Sequence, residues 1–423
     1  MRRVAWSAAA LIVGAALWSP ISAQEIPYRP RTLPTPGVST CPDGLCNAEA
    51  LVPLFEALAE TEAGLRRTPV HILQVGDSHT AGDRITGAVR AALQGRFGNG
   101  GRGVLPAGIP HDGYAPYQVR VETKGWINTP APLAARGGFQ RAGIGLTGIN
   151  PPVYGRAPVL TLTFDPGAEP GVLRLCGRGG PQASGFHIHT GAEWIPLDLR
   201  REAGGPTCIR QRLPTPPSSL ELRAEGRDAL AYDLSVENDG PGVIVSNLGV
   251  VGATLRDLAA RDEAVVAAEL AEWTPSLIII AFGANEGFEN DLDPAAYEAL
   301  LRRQIARLRR LSPVSALMIL GAPDALRSGA AQPCSADGRR APPPSLAVVR
   351  NVQRRVAADM GVAYWDWHGR MGGDCASDRL AMLDEPLMRG DRVHFTSAGS
   401  DWIGGILVAD LTGAYDRWKG EGR

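Results

Sequence analysis

Five short apolar runs recur along the chain with helical patterns between them, and that alternation sets the fold class. The runs are VHILQV (70–75), GVIVSN (242–247), LIIIAF (277–282), ALMILG (316–321) and VAYWDW (362–367). They read as continuous rather than alternating, as expected of parallel strands covered by helices on both faces. Helices are predicted at 82–95, 254–272, 294–311 and 345–359. In the third, Tyr297, Leu300, Leu301, Ile305 and Leu308 hold the three-to-four spacing of one buried face. The expected architecture is a doubly wound α/β sheet.

The rhythm stops between 119 and 240. Short runs replace it: VLTLTF (159–164), VLRLC (172–176), GFHIHT (185–190), SLELRA (219–224) and LAYDLSV (230–236), separated by Gly and Pro turn signals. This predicts a β-rich, sandwich-like insertion between the first and second core strands. A chain of 423 residues also exceeds one typical core. We therefore expect an α/β domain in two parts, 51–118 and 241–423, split by a module at 119–240.

The amino terminus points outward from the cytoplasm. Arg2 and Arg3 precede an apolar run that ends in Ile21-Ser22-Ala23, the layout of a signal peptide spanning 1–23. The run is shorter than the ~20 residues of a membrane span. No later segment reads as one, so an exported, non-spanning protein is expected, periplasmic or secreted. Residues 24–50 begin as a Pro-rich, extended lead-in. Six cysteines, Cys41, Cys46, Cys176, Cys208, Cys334 and Cys375, make an even set without any CxxC, which favours disulfides over zinc. Pairing sequence neighbours gives Cys41–Cys46, Cys176–Cys208 and Cys334–Cys375. The formal net charge of −1 gives no sign of a nucleic-acid partner.

Ligands of open α/β sheets collect at the carboxyl ends of the strands. Here those ends carry Gly76-Asp77-Ser78-His79, then LGVVGAT with Gly249 and Gly252, then GANEGF with Asn285, and finally DRVHFTSAG with Asp391 and His394. These residue types form a chemical set. A serine is a weak nucleophile until a base takes its proton. His394 is the candidate base, and Asp391, three residues earlier, can orient its imidazole. Asp366 and Asp401 are alternative orienters. The Ser78 N–H, the Gly252 N–H and the Asn285 amide are candidate donors to an oxyanion, with Gly249 as rival to Gly252. The simpler reading of Asp77 and Ser78 is a helix cap.

In that order, GDS, the Gly of VVGAT, the Asn of GANE and DxxH resemble the four blocks of the SGNH (GDSL-type) hydrolases. The resemblance covers roughly 65–118 and 241–410. GDSHTAGD, the RFGNGGRG loop, NDGPGVIVSNLGVVGAT and DRVHFTSAG most resemble the exported peptidoglycan O-acetylesterases, which also carry a β-rich module between the first two blocks. The resemblance implies a flavodoxin-like three-layer sandwich and a serine esterase that needs no cofactor or metal. It implies an acetylated glycan as substrate, peptidoglycan first. A polysaccharide O-acetyltransferase and a non-enzymatic glycan-binding envelope protein are the alternatives.

Other residues are weaker candidates. His79, Asp83 and Arg102 could touch substrate, the last two equally well as a structural ion pair. His187 and His189 share a strand face but lack a third metal ligand. Trp365 and Trp367 read as core. The insertion is expected to wall a groove for a glycan strand.

Overall fold

Strand Val70–Gly76 lies between Val243–Gly249 and Leu277–Ala281 in a six-stranded sheet that continues through Ala316–Leu320, Ala363–Trp365 and Leu45–Cys46. The structure, a computed structural model, describes residues 33–126, 143–149, 153, 157–329 and 333–422. The expected signal peptide at 1–23 lies outside them. All the predicted core runs pair in parallel, and only Leu45–Cys46 is antiparallel. Numbered by appearance, the parallel strands lie in the order 2-1-3-4-5, the flavodoxin arrangement. Its switch point falls beside the first strand, where Ser78 follows.

Side-chain alternation divides the core. Val70, Ile72 and Ile279 meet Leu93, Phe97 and Ile403 on one face. Leu73, Val75 and Ile278 meet Leu255, Leu301 and Val356 on the other. Helices therefore cover both faces, which is why the strand sequences lack a polar alternation.

Local chemistry moved some boundaries. The helix expected at 254–272 is two, Leu255–Ala259 and Glu263–Trp273, because Asp262 accepts from the N–H groups of Ala264 and Val265 and caps the second. The run VAYWDW yields only the strand Ala363–Trp365, since Asp366 accepts from Gly369 N–H and starts the turn Trp367–Arg370. The end of the lead-in is docked rather than extended. Ser39 and Thr40 hydroxyls donate to Asp366 at 2.8 and 3.1 Å, and Leu45–Cys46 adds the sheet's edge strand.

The β-rich region is two sheets around one apolar cluster. The five-stranded sheet runs Val119–Lys124, Val159–Phe164, Ser219–Ala224, Phe186–His189, Trp194–Leu197. The four-stranded one runs Gly101–Pro106, Ala231–Glu237, Val172–Gly179, Gly205–Arg212. Pairing of this region thus begins at Gly101, before the boundary expected at 119. Gly103 permits it: φ is +84°, and a Cβ there would stand 2.4 Å from the Ile244 and Ser246 side chains. All six cysteines pair as sequence neighbours, Cys41–Cys46, Cys176–Cys208 and Cys334–Cys375.

Candidate active site

The first core strand ends at Gly76, where close packing decides the residue. A Cβ would lie 2.3 Å from Thr80 Oγ1 and 2.6 Å from the Ala281 carbonyl oxygen. Asp77 is the cap of the short helix Ser78–Ala81, accepting from His79 N–H at 2.9 Å. The cap and the candidate nucleophile are thus different residues. Ser78 is freed to face the open cleft, half-buried at its floor.

Ser78 Oγ lies 3.0 Å from His394 Nε2, and His394 Nδ1 lies 2.8 Å from Asp391 Oδ2. Asp391 Oδ1 also accepts from the N–H groups of Val393 and His394, at 2.9 and 3.0 Å. Burial pushes the Asp391 carboxyl up, but the His394 and Val393 hydrogen bonds outweigh it and hold the group below the usual range. An ionised carboxylate on Nδ1 fixes the tautomer that leaves Nε2 free to accept the serine proton. The loop itself is anchored by Arg392, whose Nε donates to Asp378 at 2.7 Å. Asp366 is spent on Ser39, Thr40 and Gly369, and Asp401 stands exposed on the helix Ser397–Gly420, so neither replaces Asp391.

Gly252 and Asn285 meet beside the second and third strand ends. Gly252 has φ +74°, and Asn285 Nδ2 donates to the next carbonyl, Ala253 O, at 2.8 Å, leaving its second proton. Gly249 is a packing residue: it pairs with Gly76, and a Cβ would sit 2.0 Å from Ala81 N. Glu286, which sequence reading missed, is buried with Oε1 accepting from Leu255 N–H at 2.7 Å. Burial pushes its carboxyl up to about 7. It ties the Asn285 turn to the segment after Gly252.

His79 lines the cleft beside Ser78 and is largely buried at its floor. Its ring is buried 5.4 Å from the His394 ring, and Trp367 and Phe395 meet its edge. Nδ1 is 3.2 Å from Asp77 Oδ1 and Nε2 is 2.9 Å from the Val393 carbonyl oxygen. Both partners are acceptors, an arrangement that favours the charged ring. Burial opposes that charge, yet Asp77, Val393 and Asp391 prevail and hold His79 above the ordinary histidine value.

Asp83 and Arg102 correct the sequence expectation. They do not reach substrate, because both are buried in one ion cluster. Asp83 accepts from Arg90 Nη2 at 2.8 Å, Arg102 Nη2 at 3.0 Å and Tyr117 N–H at 3.0 Å. Burial pushes Asp83 up, but the Arg102 and Arg90 charges win and pull it down to about 2. The cluster fastens the loop after Gly101–Pro106, whose His111, Gly113 and Ala115 wall the cleft, to the helix Arg84–Phe97. The cleft is open and holds about 390 Å³.

For metals, Asp324, His368 and Asp374 bring ligand atoms within 4.8 Å of one another. That set is knit internally, His368 Nε2 to Asp374 Oδ1 at 2.9 Å, with the Arg350 guanidinium 3.5 Å from the same oxygen. His187 and His189 part company, one toward Glu225 at 3.4 Å and the other stacked on Trp194.

The family of GDSL-like lipases and acylhydrolases matches residues 218–402, which contain Gly252, Asn285, Asp391 and His394. That segment is similar to the GDSL-like acylhydrolases. The match begins after Ser78, and the parallel sheet brings that serine back to His394. No curated protein matches the sequence. The solved structure of a peptidoglycan O-acetylesterase is similar over 86% of this chain and 96% of its own, at 25% identity and a TM-score of 0.71. More distant are a family two carbohydrate esterase of Clostridium thermocellum with cellohexaose (10% identity; 62% and 94% of the two chains; TM-score 0.28) and a GDSL-like lipase of Bacteroides thetaiotaomicron (16%; 41% and 76%; 0.27). The protein is thus a carboxylic ester hydrolase. Its three disulfides fit an exported protein, and among the described residues no helix is long and apolar enough to cross a membrane.

Proposed function

We propose that this protein is an exported O-acetylesterase of a cell-envelope glycan, peptidoglycan first, working through an acetyl-serine intermediate. The observation that carries the chemistry is the unbroken line from Asp391 through His394 to Ser78 Oγ at an open cleft. Likeness to a peptidoglycan O-acetylesterase over nearly the whole of both chains supports the substrate. The signal-like terminus and the disulfides support the compartment.

In the reaction, Ser78 Oγ attacks the acetyl carbonyl while His394 Nε2 takes its proton. The oxyanion is held by Ser78 N–H, Gly252 N–H and Asn285 Nδ2. The intermediate collapses, the C–O bond to the sugar breaks, and His394 returns the proton to the sugar oxygen. Water then gives a proton to His394 and attacks the acetyl carbon, releasing acetate and restoring Ser78. Asp391 keeps the imidazole aligned throughout. No step requires a metal or cofactor.

Acetate release from O-acetylated peptidoglycan, acetylated xylan and a chromogenic acetate tests the reading. Release from the first at the highest kcat/KM is expected, and Ser78→Ala should lower it on the order of 10³-fold. Wild-type-like release by that variant removes Ser78 from the mechanism, and transfer to a glycan hydroxyl without hydrolysis makes the protein a transferase.

A further inference from the structure

Cations flank the mouth of the cleft above Ser78. Arg84 begins the helix Arg84–Phe97, exposed, with Nη1 donating to Tyr117 Oη at 3.0 Å. Arg389 sits on the loop of His394, its N–H donating to the His394 carbonyl at 2.7 Å while its side chain is exposed. Both line the cleft, and neither guanidinium has an acidic partner among the described residues. Several arginines elsewhere on the surface are paired with acids: Arg256 with Glu289, Arg96 with Glu62 and Asp416, Arg302 with Glu298 and Asp359. Others, such as Arg67 and Arg303, have no acid partner among the described residues, so it is the position of Arg84 and Arg389 at the cleft that sets them apart.

Among the described residues, no Asp or Glu lines the cleft. The nearest acids are already engaged, Asp391 by His394 and Asp77 by His79. The whole chain carries a formal charge of −1, so this excess of positive charge is local. Two unpaired guanidiniums beside a nucleophile, on well-anchored backbone, are a site for a planar anion. A neutral sugar ester would leave both without an anionic partner. They would also draw an anionic polymer to the cleft, an attraction that salt weakens.

We propose that the cleft selects acetylated glycans that carry a carboxylate close to the acetylated sugar, with Arg84 and Arg389 binding that carboxylate while the ester lies at Ser78. The carboxylate can belong to a uronic acid or to the acidic peptide and lactyl substituents of a muramoyl glycan. This deepens the esterase reading and rests on it, and it separates such polymers from acetylated xylan, which is neutral.

Binding, measured apart from turnover, is the test. Ser78→Ala protein is titrated calorimetrically with acetylated muramoyl-peptide, uronic-acid and xylose oligomers of equal length, at low salt and at about 0.5 M salt. At least one acidic oligomer should bind about tenfold or more tighter than the xylose oligomer, with the advantage shrinking in salt. Adding Arg84→Gln and Arg389→Gln together should abolish the advantage, and the paired Lys substitutions, which keep the charge, should retain part of it. Which acidic oligomer binds tighter identifies the source of the carboxylate. Equal binding of acidic and neutral oligomers, or an advantage that survives the double Gln variant, overturns the proposal. Absence of acetate release by the wild type would instead overturn the esterase reading, and the binding comparison would still stand.

Discussion

Ser78 was legible in the sequence because nucleophile chemistry admits few residue types and it follows the first apolar run. Asp391 and His394 lie beyond the last core strand and the helix Ala376–Ala381, and were legible through their DxxH spacing. The supporting residues were not. A buried ion pair and a substrate contact use the same letters, so Asp83 and Arg102 could be sorted only by their burial. His79 and Glu286 act through neighbours far away in the chain, Val393 and Leu255, that no spacing rule connects. His79 is tied to the loop of His394 through the Val393 carbonyl, 2.9 Å from its Nε2. His79→Ala removes that tie, and kcat on a chromogenic acetate should fall on the order of tenfold. Unchanged kcat would mean that Asp391 and Arg392 hold the loop without it. Asn285→Ala should cost on the order of 10²-fold in kcat if its amide receives the oxyanion. Unchanged kcat would leave Asn285 as a tie to Ala253 alone.

Elements with a single reason to form were read correctly from sequence, and those with competing reasons were not. The parallel strands, buried on both faces, announce themselves by composition. The strand Gly101–Pro106 does not, because its glycines serve a close crossing over Val243–Gly249 and look like a loop. Strands Trp194–Leu197 and Gly205–Arg212 were missed for a related reason: both are largely solvent-facing, so no apolar run marks them. The second is instead held by Cys208, directly opposite Cys176 in the adjoining strand. Its closed loop spans a sequence separation of 32. Replacing both cysteines with serine should destabilise the β-rich region by about 3–4 kcal/mol. Urea unfolding followed through that region measures it, and a loss below about 1 kcal/mol would show that strand pairing alone holds Gly205–Arg212. The triad, on different elements, should keep its Ser78–His394 geometry.

At the scale of the whole molecule, the sandwich and the hydrolase core meet across a buried acid pair. Asp233, on the strand Ala231–Glu237, faces Glu269, on the helix Glu263–Trp273, and both are fully buried. Glu269 Oε2 accepts from Leu146 N–H at 2.7 Å, and the Trp273 side chain lies beside Asp233. Burial raises both carboxyls, and their mutual repulsion adds to it for Asp233, so the folded protein keeps a proton shared between them. In the unfolded chain both would titrate near the ordinary 3.8 and 4.5. Above that range the folded state binds protons that the unfolded state has released, so this pair's contribution to stability falls as pH rises into the alkaline range. Asp233→Asn makes a permanent donor of nearly the same shape and removes Asp233's part of the dependence, leaving that of Glu269, which burial raises. Measured by urea unfolding at about pH 6 and about pH 8.5, stability of the variant relative to wild type should rise by roughly 1–2 kcal/mol at the higher pH. The comparison cancels every other titrating group, including His71, which burial pulls down to about 4 and which acts in the opposite sense. An equal difference at both pH values would mean that the pair stays ionised, and that the interface between sandwich and core does not respond to pH through it.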